Sequence, residues 1–268
     1  MSRFVAPIRR VETAKGHYYR DANGARVPGV TTIIGDGVPK PALINWAANA
    51  TAEAAVDRWD ELGALGPAKR LKELQGARYE AKDAAARRGT EVHRAAEALL
   101  AGKAVKVPEE IAGHVEAYAR FLDEFQVEAL HVEFSCISYR WGYAGTADLC
   151  ARMVLPDKGP KTLLMDLKTT RSGVFGETAL QLAAYRLAEY WVVDDEEIEP
   201  VQADYCAAIH VRADGYDLVP VEAGEPQHKA FLYAMKVGEF AADSRNLVGA
   251  PIIAPTTSTF RLVREAAS

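Results

Sequence analysis

The chain has 268 residues, of which 49% are hydrophobic and 26% charged, and its formal net charge is −5. This balance suits a folded protein with a sizeable core and excludes wholesale disorder and a fibrous repeat. An acidic total also excludes indiscriminate attraction to phosphates, which lysines and arginines drive by displacing counterions, so a nucleic-acid surface would have to come from segregated charge. Segregation is present: Arg3, Arg9, Arg10, Lys15 and Arg20 face only Glu12 near the N-terminus, whereas Asp194, Asp195, Glu196, Glu197 and Glu199 crowd one short stretch. A solvated face and an acidic turn account for these runs equally well.

In chain order, residues 17–35 combine aromatic and β-branched residues with Asn23-Gly24 and Pro28-Gly29, which predicts a hairpin leading into a loop. From Pro41 to about Val127 the chain is rich in Ala, Leu, Glu, Lys and Arg. It is broken at Gly63 to Pro67 and at Gly102 to Pro108, so three helical stretches are expected. After Leu130, HVEFSCISYRW, YAGTADLCARMVL and TLLMDLKTT read as three consecutive strands. A helix is expected from Glu177 to Trp191, then two strands in VQADYCAAIHV and YDLVPV, and a last helix from Gln227 to Phe240. The order predicts an α+β (α/β) fold with a central mixed sheet flanked by helices. It divides into a hairpin and helical region over 1–127, a strand-rich core over 128–250 and an irregular tail over 251–268, all in one integrated domain.

The three cysteines, Cys136, Cys150 and Cys206, are dispersed and odd in number, which argues against a disulfide framework or a zinc knuckle and for a reducing compartment. No apolar run has the length of a membrane span and no signal-peptide pattern is seen at the N-terminus, so the expectation is a soluble protein of a bacterial or phage-infected cytoplasm, without a membrane partner.

Chemistry concentrates in Gly145-Thr-Ala-Asp148 and, after a turn, Asp166-Leu-Lys168. Side chains alternate along a strand, so Asp166 and Lys168 share a face. An acid within LLMDLK is costly unless it is paired or holds a metal. A hard divalent cation on such carboxylates can orient a water, lower its pKa and neutralise charge developing on a phosphate, with Lys168 adding electrostatic stabilisation. A buried ion pair at a strand end explains D-x-K alone just as well.

Four short patterns occur in a fixed order: Gly89-Thr-Glu-Val-His93, Gly145-Thr-Ala-Asp148, Asp166-Leu-Lys168 and Gln181-Leu-Ala-Ala-Tyr185. In this order and context they resemble the RecB-type nucleases of the PD-(D/E)XK superfamily, and PGVTTIIGDGVPKPALINWAAN is similar to the N-terminal region of phage RecB-like exonucleases. The likeness covers about residues 17–190. It implies a restriction-endonuclease-like core over 128–250 and a catalytic set of Asp148, Asp166, Lys168, His93, Gln181 and Tyr185. It further implies Mg2+ or Mn2+, one or two ions, held by His93, Asp148, Asp166 and the Leu167 main-chain carbonyl, with Glu133 as an auxiliary carboxylate. Gln181 and Tyr185, four apart on a helix, share a face that can meet the sheet edge. Neutral imidazole at His93 suits manganese better than magnesium.

The implied function is metal-dependent DNA exonuclease activity in recombination, repair or phage DNA processing, with DNA as partner and Arg87, Arg88 and Arg171 as backbone contacts. A structure-selective endonuclease on the same fold and a nuclease-fold protein that binds DNA without cutting are the alternatives. Ala147 stands where the superfamily's name-giving proline would be. Related CRISPR-associated exonucleases carry four cysteine ligands for an iron-sulfur cluster, and three dispersed cysteines cannot supply them. No phosphate-binding G-x-x-x-x-G-K-[ST] loop occurs, so no ATP-driven motor is expected and unwinding would fall to a separate helicase or recombination protein.

Overall fold

The computed structural model describes residues 4–13 and 16–253. Arg3, Lys15 and residues 254–268 of the expected tail lie outside the described residues. A three-stranded antiparallel sheet comes first, from β1 (Arg9–Thr13), β2 (Gly16–Arg20) and β3 (Arg26–Val27). Five helices follow: α1 (Val30–Gly37), α2 (Pro41–Asp57), α3 (Trp59–Gly63), α4 (Pro67–Leu100) and α5 (Glu109–Glu124). The strands β4 (Glu128–Ser138), β5 (Tyr143–Leu155) and β6 (Gly159–Lys168) form an antiparallel meander. Then come α6 (Glu177–Arg186), β7 (Tyr190–Val193), β8 (Glu196–Ile198), β9 (Tyr205–Arg212), β10 (Gly215–Val221) and α7 (Glu225–Asp243).

The large sheet has seven strands in the order β10-β9-β6-β5-β4-β7-β8, mixed because β6 and β9 run parallel while every other pair is antiparallel. This is the α+β architecture expected from the order of elements. Helices cover both faces. On one side Val30 and Ile34 of α1, Leu182 of α6 and Phe231 of α7 pack with Phe134, Leu164 and Trp191. On the other, Val92 of α4 and Ile111 and Phe121 of α5 pack with Leu149, Met165 and Ile209. The small sheet closes one end, with Ile8, Tyr19 and Val27 against Ile137 and Ala144.

The differences from expectation have local causes. The segment expected to be a loop after Pro28-Gly29 contains α1, although VTTIIGDG has weak helix propensity. Val30, Ile33 and Ile34 recur on one helical face and are buried, so tertiary burial overrides propensity. Gly37 completes that helix against α7, where a β-carbon would stand 2.0 Å from the Ala234 carbonyl oxygen. The break at Gly63 to Pro67 carries an extra short helix, α3, on its N-terminal side. The helix expected through Trp191 ends at Arg186, and Tyr190 and Trp191 belong to β7. The acidic run is a tight hairpin: Asp194 and Asp195 both have positive φ, at 50° and 67°, and turn β7 back into β8. Strand β1 carried no recognised signal. Among the described residues no helix is long and apolar enough to cross a membrane.

Candidate active site

The three strands of the meander bring their polar residues to one place. On β6 the alternation is regular: Leu163, Met165 and Leu167 enter the core under α4 and α5, while Asp166 and Lys168 face α6. On β4 and β5 it is not. Val132 packs on the α4/α5 side, whereas Phe134, two residues on, packs on the α1/α6/α7 side. Across the ladder Leu149 and Ala147 are divided between the same two cores. A regular strand would keep residues two apart on one face. The pairs Val132 with Leu149 and Phe134 with Ala147 bracket Glu133 and Asp148, which therefore lie opposite each other at the exchange of faces. Glu133 has φ +49°, a left-handed conformation that costs a non-glycine residue energy and that clusters at functional positions.

Around this crossing one donor atom each from His93, Glu133 and Asp148 lie within 4.8 Å of one another. His93 Nδ1 is 3.7 Å from Asp148 Oδ1. The other Asp148 oxygen accepts the Leu167 N–H at 2.6 Å. His93 also hydrogen-bonds the Leu167 main chain, an interaction that favours the charged imidazole and so comes from the carbonyl. Asp166 is buried beside this trio. Its Oδ1 accepts Gln181 Nε2 at 2.6 Å, and its Oδ2 is 2.6 Å from Lys168 Nζ but too bent for a hydrogen bond, so that buried oxygen has an ionic neighbour and unused lone pairs. Gln181 ties the set together: Oε1 accepts Lys168 Nζ at 3.0 Å and Nε2 donates to Tyr185 Oη at 3.1 Å.

Burial and mutual repulsion set the charge states. Glu133 is pushed up to about 7, first by burial and then by Asp148, with His93 and Arg10 opposing. Asp148 is raised well above the carboxylate range by burial and by Asp166, while the Leu167 N–H and Lys168 pull it down. Burial lowers His93, favouring the neutral imidazole that can act as a ligand. Crowded acids with raised pKa values, a neutral imidazole and an underused buried oxygen are a donor set that a divalent cation would satisfy. The two carboxylates of Glu133 and Asp148 are hard oxygen donors of the kind Mg2+ and Mn2+ take, and the imidazole favours Mn2+; Asp166 lies beside this group rather than within it.

All of this lines a cavity of about 510 Å3. Its lining also includes α4, through Ala85, Ala86 and Gly89, and the β2 and α1 region, through Tyr19, Gly29 and Thr31.

No family model matches the chain, and no curated protein matches it. A solved structure titled "Crystal structure of SSO0001" aligns with 60% of this chain and 76% of its own at 17% identity, with a TM-score of 0.28. So low a score carries no argument about fold or activity.

Thus the eight residues His93, Glu133, Asp148, Asp166, Leu167, Lys168, Gln181 and Tyr185, singled out from sequence, line one cavity. The arginines do not. Arg88 lies 3.9 Å from Glu110 on α5, Arg87 is exposed on α4, and Arg171 is exposed in the loop after β6. Other contributors went unrecognised. Arg10 reaches Glu133 at 3.5 Å, Tyr19 Oη hydrogen-bonds Thr146 Oγ1 at 2.6 Å, and His210 Nε2 contacts the Thr170 carbonyl at 2.8 Å, anchoring the loop at the cavity rim. A basic residue in the N-terminal cluster was the one available signal, for Arg10; tertiary placement of the small sheet supplies Tyr19, and the parallel pairing of β9 with β6 supplies His210.

Proposed function

We propose that the chain is a divalent-metal-dependent deoxyribonuclease of the RecB-like PD-(D/E)XK type, acting as an exonuclease on DNA. The observation that carries this reading is the convergence of the His93, Glu133 and Asp148 donors with the Asp166, Lys168 and Gln181 network in a single cavity. His93, Asp148, Asp166 and the Leu167 carbonyl, with Glu133 beside them, would hold the metal. When bound, the ion supplies Lewis-acid polarisation of a phosphate and a lowered pKa for water.

The protein's own groups do the rest. Lys168 is a fixed cation, held by Asp166 and Gln181 and aimed into the cavity, where it stabilises negative charge gathering on a phosphoryl oxygen. Gln181 positions both Asp166 and Lys168 and is itself set by Tyr185. Such a core needs no ATP, and a separate helicase or recombination protein would present DNA to it.

The test is cleavage of end-labelled linear single- and double-stranded DNA with Mn2+ or Mg2+, comparing the unaltered protein with Asp166→Ala and Lys168→Ala and using closed circles as control. Metal-dependent loss of linear DNA, abolished in both variants while circles survive, is the expected result. Cut circles would assign endonuclease activity instead. A folded, metal-loaded protein that binds DNA and cuts none of these substrates would sink the catalytic reading.

A further inference from the structure

Helix α4 contributes only its last third to a core: Val92, Ala95 and Ala96 are buried there, and Ala77 alone is buried earlier. The rest of a helix about 50 Å long rests on α2 and α3 along one side and is solvated along the other, which its local sequence suits. Between Pro67 and Thr90 it carries seven basic residues, Lys69, Arg70, Lys72, Arg78, Lys82, Arg87 and Arg88, against Glu73, Glu80 and Asp83, a local excess of four positive charges on an acidic protein. The two arginines beside Gly89 do not face the cavity. A regular helix turns about 100° per residue, which places Arg87 and Arg88 some 120° to 140° from His93 around the axis.

The same arithmetic identifies what does continue the cavity wall. Ala86, Lys82, Tyr79 and Gln75 all fall within about 40° of His93. Ala86 and His93 line the cavity, and the next residues along this stripe are exposed. Tyr79 is 55% exposed, with the Arg78 guanidinium 4.7 Å from its ring centre. Lys82 has no ion-pair partner among the described residues. A cation about 16 Å and an aromatic ring about 21 Å from His93 along the axis stand in line with the chemistry, with small residues between.

This pairing fits one occupant. Phosphates seek cations and exposed bases stack on aromatic faces, the combination that binds single strands without regard to sequence. At about 510 Å3 the cavity is the size of a small-ligand cleft, room for about one nucleotide. An unpaired strand can bend to feed such a cleft, whereas a duplex is stiff over about 150 base pairs. We infer that the exposed α4 stripe of Tyr79 and Lys82 is a binding track that guides an unpaired DNA strand into the cavity. The inference rests on the nuclease reading for its substrate, and the track spans at most about six stacked nucleotide steps of 3.4 Å.

The test reads binding rather than cleavage. Fluorescence anisotropy of labelled oligothymidylates of three to twelve nucleotides, in Ca2+ and at several salt concentrations, is compared for the unaltered protein, Lys82→Glu, Tyr79→Ala and a control, Lys69→Glu. Lys69 is exposed on the same helix about 120° away, and circular dichroism checks that each variant folds. The unaltered protein and the control should gain affinity with length. Lys82→Glu and Tyr79→Ala should lose that gain, by about 5-fold or more for the stacking residue, and the log–log salt slope should fall by about 0.7 for the lost phosphate contact. Equal length dependence in all four proteins would overturn the track. Preferential binding of a blunt duplex, lost in the same variants, would overturn the unpaired-strand assignment. Because no step needs catalysis, failure of the nuclease reading shows up separately, in the Asp166→Ala cleavage comparison.

Discussion

Tyr185 lies so close over Gly145 that a β-carbon at that glycine would stand 2.4 Å from its ring and 2.9 Å from Val30. The contact seats α6 on β5 and thereby fixes Gln181, one turn earlier on the same helix face. Gly145→Ala should cost about 1–3 kcal/mol, the usual range for overpacking, and should lower cleavage more than a destabilisation of that size explains. Chemical denaturation alongside single-turnover cleavage checks this. Unchanged turnover in a folded variant would mean that α6 does not set the geometry.

Gln181 satisfies Asp166, Lys168 and Tyr185 at once. Removing its amide by Gln181→Ala strips a buried carboxylate of its donor, at a cost of about 1–3 kcal/mol, and frees the Lys168 ammonium. On the proposed nuclease reading, the expected kinetic result is a fall in kcat of at least about tenfold with little change in KM, because Gln181 would organise charge in the transition state. A rise in KM alone would assign Gln181 to substrate binding.

The pH dependence follows from the raised acids. Glu133 has its pKa near 7 in the fold against an ordinary value of 4.5, so the folded state holds a proton that the unfolded state releases. Its contribution to stability is complete below about pH 4.5 and is lost as pH rises through about 7. Asp148 acts in the same direction. Without metal the melting temperature should fall across that window. A divalent ion at the proposed site would replace the protons, so stabilisation by Mn2+ should be larger at pH 8 than at pH 5.5. At a hundredfold excess over Kd it amounts to about 2.7 kcal/mol, or on the order of 5–10 °C for a protein of this size. Melting curves with and without Mn2+ at the two pH values decide it; equal shifts would place the ion elsewhere.

Arg10 lies 3.5 Å from Glu133 and holds its pKa down against burial. Arg10→Gln should raise that pKa further and move the onset of metal-dependent stabilisation to higher pH, by a fraction of a unit to about one unit for a pair only about a quarter exposed. Titrating the melting shift against pH in both proteins measures the displacement.

Much of this arrangement is legible in the sequence because it is local. Period-two alternation puts Asp166 and Lys168 on one face, a spacing of four puts Gln181 with Tyr185, and β-rich runs between turn residues delimit β4, β5 and β6. What escapes is set by tertiary contact. Helix α1 forms because Val30, Ile33 and Ile34 find a core, against their propensity. Tyr190 and Trp191 leave the helical pattern because β4 offers them an edge to pair with. Neither the left-handed backbone at Glu133 nor the reach of Arg10 from β1 has a signature in residue order. The loop and helix arginines were natural candidates by charge, but angular position around α4 directs Arg87 and Arg88 elsewhere.

The exchange of faces at Glu133 and Asp148 has a bearing on how the molecule unfolds. His93 belongs to the helical layer on one side of the sheet and Gln181 to the layer on the other, yet both reach the same cavity through that crossing. His93 is itself a donor and Gln181 holds Asp166 and Lys168 beside it, so an occupied site would act as a rivet through the sheet, tying the two cores into one cooperative unit. Amide protons of α5, which contributes no residue to the cavity, should then exchange more slowly when the metal is added, in step with those of α6.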